Sequence, residues 1–170
     1  MIIKDNIISN FRLEDNTIKK KTLFAIVVSE WHSKITERLK NGILKTFSLL
    51  GINKKNIKIF KVPGSFELVF VSNQLSELLK FNVIICVGSI LKGETNHYHY
   101  ISSAVIYGIK DINLKNKTPV ILCLLTDNNI EESFERSGGK YGNKGIESAI
   151  AAVKIAILNK SIKKLIKKDS

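Results

Sequence analysis

Three histidines, one tryptophan and a few carboxylates, cations and glycines hold most of the reactive chemistry available to this 170-residue chain. His97 is the strongest acid–base candidate, because an imidazole titrates near neutral pH and can both take and return a proton. His32 and His99 fall in segments of the same polar kind. Trp31 could stack on a flat heterocycle or simply pack at a rim. Gly64-Ser65 opens a helix, where free backbone N–H groups could bind polar oxygens. Glu67, in the first turn of that helix, could hold a polyol or only offset the helix dipole. Gly93-Glu94-Thr95 precedes another helix and could cradle a phosphate, or be an ordinary capped loop. Arg136 and Lys144 flank RSGGKYGNKG and could bring charge to a phosphate, or be solvated cations beside a hinge. His97-Tyr98-His99 has no supporting Cys or carboxylate pattern, so no metal site is expected. There is no nucleophile elbow, P-loop or dinucleotide fingerprint.

These residues share a position. Strand-like runs at 23–29, 57–62, 82–89 and 118–126 are each followed by a helical stretch, at 35–51, 66–80, about 98–110 and 130–137. A final helix is expected from about 143 to 166, after a glycine-rich break. In the first helix Ile35, Leu39, Ile43, Leu44, Phe47 and Leu50 recur every three to four residues. Four strand-then-helix units imply a parallel sheet covered on both faces, and the apolar runs 84–87 and 120–125 suit strands buried on both sides. The expected fold is a three-layer α/β/α sandwich, a flavodoxin-like parallel four-stranded sheet. In such sheets ligands bind beyond the carboxyl ends of the strands, which is where the candidate residues stand. Residues 1–21 read as an N-terminal arm or added edge strand, 22–158 as the main domain, and 159–170 as a basic C-terminal helix end. That end holds five lysines between 160 and 168. It could touch an anionic surface, or be a solvated end with cations favoured by the helix dipole.

Composition narrows the class. The chain is 44% hydrophobic and 25% charged, ordinary for one globular domain. No apolar run approaches the roughly 20 residues of a membrane span. The N-terminus lacks a signal peptide's apolar core, so a soluble, cytoplasmic protein with no membrane partner is expected. Cys86 and Cys123 sit in apolar runs and read as buried free thiols. The net charge is +12, which could point to a polyanion. Yet 24 of the 27 cations are Lys, and Ile, Lys and Asn supply 65 of 170 residues. All three have AU-rich codons, and there is no clustering of Arg with aromatics, so no nucleic-acid partner is expected.

Larger segments carry a resemblance. IVVSEWHSKITERLKNGIL (26–44), VPGSFELVFVSNQL (62–75), VIICVGSILKGETNHYHYISSAVIYGI (83–109) and PVILCLLTDNNIEESFERSGGKYGNKGIESAIAAVKIAIL (119–158) together resemble the 6,7-dimethyl-8-ribityllumazine synthase family. VPGSFE, the KGETxH segment and ERxGxKxGNKG occur in the right order and spacing. The resemblance implies condensation of 5-amino-6-ribitylamino-uracil with 3,4-dihydroxy-2-butanone 4-phosphate, with loss of phosphate and water, in riboflavin biosynthesis. It implies no cofactor. It implies that Trp31 stacks on the pyrimidinedione, and that Ser65 and Glu67 meet the ribityl chain. Ile90 and Leu91 then run along the heterocycle, Gly93, Glu94 and Thr95 form the phosphate turn, and His97 transfers protons. Arg136 grips the phosphate from a neighbouring subunit, with Lys144 nearby, and Leu122 covers the ring from that neighbour. Leu122 stands where the family usually has Phe, and Glu30, His32, Asn96 and His99 depart similarly. The resemblance further implies a homo-oligomer with inter-subunit sites. That is a pentamer, with a 60-subunit icosahedral shell suggested by the compact SGGKYGNKG turn, and with the arm added to a neighbour's sheet edge.

Overall fold

Apolar side chains alternate between two cores along the inner strands. Phe24, Ile26 and Val28 share one core with Ile85 and Val87, whereas Ala25 and Val27 share the other with Ile84 and Cys86. Such runs have no polar face to show to water, so the strands must be covered on both sides. The computed structural model describes residue 13 and residues 15–168. Its sheet is built from β1 (Phe24–Ser29), β2 (Ile57–Val62), β3 (Val83–Leu91) and β4 (Val120–Asp127). The strands are parallel in the order β2-β1-β3-β4. Helices α2 (Ser33–Leu49) and α6 (Lys144–Lys168) cover the first core, and α3 (Glu67–Glu77) and α4 (His97–Lys115) cover the second. The three-layer, flavodoxin-like sandwich expected from the sequence is the observed fold.

Packing fixes the layers to each other. Phe24 of β1 meets Phe47 of α2 with ring centroids 4.6 Å apart. Both are fully buried, and each such side chain stabilises by about 1.5–3 kcal/mol through burial alone. Cys86 and Cys123 are buried free thiols in opposite cores, and burial pushes both up to about 12, which leaves them inert.

Two local expectations change. The N-terminal stretch is not an edge strand in its described part. It forms a short helix, α1 (Asn16–Lys21), because the Asp15 carboxylate accepts from the Thr17 and Ile18 N–H groups and Ile18 plugs into the first core. The rest of the expected arm, residues 1–12 and 14, lies outside the described residues. The glycine-rich break after α5 (Ile130–Arg136) is a small antiparallel hairpin, β5 (Ser137–Gly139) and β6 (Gly142–Asn143).

Candidate active site

The strand order reverses between β1 and β3, and this switch point is where an open parallel sheet leaves a crevice. A cleft of about 330 Å³ lies there, lined from the carboxyl ends of three strands and the start of α4. Trp31 and His32 follow β1, Gly64 to Glu67 follow β2, Ser89 to Leu91 end β3, and Gly93, Thr95, His97, Tyr98 and Ile101 come from the next loop and helix. Of the expected residues, Trp31, Ser65, Glu67, Ile90, Leu91, Gly93, Thr95 and His97 are therefore brought together. Glu94 is exposed beside them without lining the cleft, and Leu122, Arg136 and Lys144 do not line it.

Backbone bonds hold the rim. The Glu30 N–H donates to the Val62 carbonyl at 2.8 Å and the Trp31 N–H to the Pro63 carbonyl at 3.1 Å. They tie the exit of β1 to the exit of β2. Trp31 is 67% exposed, unlike a core tryptophan, and touches His32 edge-on at 6.2 Å between ring centroids. His32 has a left-handed backbone, φ 55, which turns the chain sharply into α2. Burial holds the His32 imidazole below its ordinary titration range. Glu67 accepts from the Gly64 N–H at 2.9 Å through one carboxylate oxygen, so the carboxylate and the glycine turn fix each other. The Thr95 hydroxyl accepts from the His97 N–H, the first of α4, at 3.3 Å.

The floor of the cleft is chemically unfinished. Ser29, Ser65 and Ser89 have buried hydroxyls without a hydrogen-bond partner among the described residues, and Ser65 and Ser89 line the cleft. A buried hydroxyl in that state costs about 1–3 kcal/mol. Gly88 makes the arrangement possible, because a Cβ there would lie 2.8 Å from the Ser65 hydroxyl oxygen.

The cationic residues form a second cluster. Arg136 reaches Glu147 at 3.5 Å and donates to the Tyr141 carbonyl at 3.0 Å, and Lys144 reaches the same carboxylate at 3.4 Å. Asn143 organises the turn, donating to the Arg38 and Ser137 carbonyls at 3.2 and 2.8 Å and accepting from the Gly145 N–H at 2.8 Å. Leu122 is half-buried against the second core.

His32, Phe66 and Ser89, which stand in the strand-end segments that the sequence pointed to, also line the cleft, as do Tyr98 and Ile101, which were not assigned to it from the sequence. Ile101 could have been found from its place one helical turn after His97. Among the described residues no group of three or more His, Cys, Asp or Glu is placed to hold a metal, and no helix is long and apolar enough to cross a membrane.

Comparison with known proteins decides the family. Residues 21–160 match the family model described as 6,7-dimethyl-8-ribityllumazine synthase. The chain belongs to that family. A lumazine synthase of Christiangramia forsetii is 46% identical over 153 residues, covering 88% of this chain and 91% of the relative. One of Flavobacterium psychrophilum is 45% identical, covering 89% and 80%. One of Buchnera aphidicola is 40% identical, covering 86% and 93%. The lumazine synthase match spans both clusters, the cleft and the Arg136 turn, and ends within α6.

Proposed function

We propose that this chain is a 6,7-dimethyl-8-ribityllumazine synthase, a transferase of riboflavin biosynthesis. It condenses 5-amino-6-ribitylamino-uracil with 3,4-dihydroxy-2-butanone 4-phosphate and releases phosphate and water. The observation that carries the reading is the meeting of Trp31, Ser65, Glu67, Gly93, Thr95 and His97 in one cleft of a family member. Trp31 presents an open ring face to the pyrimidinedione, with Ile90 and Leu91 alongside. Glu67 keeps one oxygen on Gly64, and its other oxygen accepts from ribityl hydroxyls. The unpaired Ser65 hydroxyl gains a partner when a polyol binds, so the cost of burying it is recovered in the complex.

Schiff-base formation between the substrate amine and the ketone moves protons at nitrogen and oxygen, and His97 at the cleft mouth serves as the shuttle. The departing phosphate needs fixed positive charge and N–H donors, supplied by Gly93, Glu94 and Thr95 as a turn and by Arg136 with Lys144. Holding two intrinsically reactive substrates together supplies the rest. No cofactor enters this scheme.

The sites are inter-subunit in this reading. Leu122, Arg136 and Lys144 stand away from the chain's own cleft and serve a neighbour's. The outer surfaces of α3 and α4 support a homo-oligomer: Phe70, Tyr100, Tyr107 and Leu114 are each more than 60% exposed, an apolar display that a lone soluble chain rarely carries. The proposed assembly is a pentamer, able to build a 60-subunit shell, working in the cytoplasm.

The test mixes purified protein with both substrates and follows lumazine fluorescence above the uncatalysed background. A rate proportional to enzyme, falling about a hundredfold or more in Arg136→Ala, is expected. No rate above background from folded, oligomeric protein would overturn the reading.

A further inference from the structure

At the amino end of the sheet, α1, the residue before β3 and the last turns of α6 enclose another cleft, of about 350 Å³. Its walls carry Lys21 from α1 and Lys160, Lys163 and Lys164 from α6, with the amides of Asn82 and Asn159 and, among the described residues, no carboxylate. It is remote from the synthase cleft: Asn82 to Leu91 spans the length of β3, about 30 Å at the usual strand rise.

Positions 156, 159, 160, 163 and 164 of α6 share one helical face. In the preceding turns that face buries Ala149, Ala152, Val153 and Ala156. A helix running off a domain ordinarily turns lysines outward and apolar residues inward. Here Leu158, Ile162 and Leu165 are exposed as well as Lys163 and Lys164, and the two lysines stand on the side that lines the cleft. Four ammonium groups gathered on one cleft repel one another. Asp15 answers only one of them. Its carboxylate pairs with Lys160 at 2.8 Å and is already shared with the Thr17 and Ile18 N–H groups. Among the described residues no carboxylate pairs with Lys21, Lys163 or Lys164.

We propose that this cleft is a second anion site, which takes a phosphate chain on Lys21, Lys163 and Lys164. Three point charges on two elements suit several linked phosphates better than one. The volume is that of a small-molecule site. Ile18 and Ala156 give it an apolar wall, and Asn82 and Asn159 give it amides, so the chain is either free polyphosphate or the tail of a nucleotide. Among the described residues no aromatic side chain lines the cleft to stack a strand of bases, so a small ligand fits better than a nucleic acid.

The test is calorimetric titration of the full-length protein, near physiological ionic strength, with tripolyphosphate and separately with ADP. Saturable binding of one anion per chain is expected at this cleft, separate from any at the synthase's own phosphate turn, and weakened about tenfold or more in Lys163→Ala/Lys164→Ala and again in Lys21→Ala. Lumazine formation should be unchanged in these variants, which also reports that they fold. Arg136→Ala should retain the binding at this cleft. Tighter binding of ADP than of tripolyphosphate would assign the apolar wall to a nucleoside, and equal binding would assign the phosphate chain alone. Unaltered affinity in the lysine variants, loss of binding in Arg136→Ala, or no saturable heat at all would overturn the proposal.

Discussion

The cleft beyond β3 and the turn that carries Arg136 treat polar groups in opposite ways. In the cleft, two serine hydroxyls, of Ser65 and Ser89, are buried without partners among the described residues and Trp31 stands two-thirds exposed. In the turn almost every polar group is answered from within the chain: Arg136 and Lys144 share Glu147, and Asn143 ties three backbone groups together. One region is held open for something else to complete, and the other is braced so that it presents two cations in a fixed place. The active site proposed above, divided between subunits, would need both kinds of surface on each copy. The receiving surface must keep its polar capacity unspent, and the delivering surface must be rigid before it meets its target.

Damage to the brace should give the largest effect. A Cβ at Gly145 would drive into the Leu39 carbonyl oxygen and crowd the Asn143 side chain. Gly145→Val should therefore destabilise the fold by about 3 kcal/mol and abolish activity with it. Denaturant unfolding measures the first, and a wild-type midpoint would show that the turn is softer than its bonding suggests. Next comes the chemistry inside the open region. His97→Ala should lower kcat about a hundredfold while leaving the unfolding midpoint within error, since His97 is exposed and makes no side-chain bond that the fold uses. Unchanged turnover at saturating substrate would remove the proton shuttle. A smaller effect belongs to Glu67→Gln, which keeps the shape of the carboxylate but not its charge. KM for the ribitylaminouracil should rise about tenfold with kcat little altered. A fall in kcat alone would move Glu67 from binding the sugar chain to the reaction itself.

Sequence and structure part company at particular residues, for physical reasons. The inner strands are legible because both faces are buried, and a continuous apolar run such as VIICV, too short for a helix of its own, suits a doubly covered strand best. Helix α2 is legible from Ile35, Leu39, Ile43 and Phe47, all of which are buried. The β5–β6 hairpin is not, because strands of three and two residues carry no periodicity. Helix α1 is hidden although Asp15, just before a run ending in three lysines, is a cap-to-dipole pattern, because six residues are too few to show an apolar stripe. Within the site, the strand-end rule locates Trp31, Glu67 and His97. It cannot separate residues that line one cleft from those that stand elsewhere at the same end of the sheet, so Arg136 and Glu67 look alike. Nor can it foresee that Ser29, Ser65 and Ser89 lack partners, since their neighbours come from segments far apart in the chain.

The smallest expected effect tests how firmly α1 is fastened at the opposite end from the cleft. The Lys160 ammonium, helped by the Thr17 and Ile18 N–H groups, holds the Asp15 carboxyl at about 2, against its ordinary 3.8. A carboxyl lowered on folding contributes stability that is fully present above its unfolded value and is lost as pH falls through the folded one. The pair is about a third exposed on both sides, so solvent screening reduces it to below about 1 kcal/mol. Asp15→Asn should thus lower Tm by about 2 °C at neutral pH. The difference from wild type should persist down to about pH 4 and shrink steadily as pH approaches 2. Added salt should reduce it as well, because both groups face water. A difference that ignored pH would mean that Asp15 matters to α1 as a neutral hydrogen-bond acceptor, which Asn supplies almost as well, and that the ion pair with α6 contributes nothing of its own.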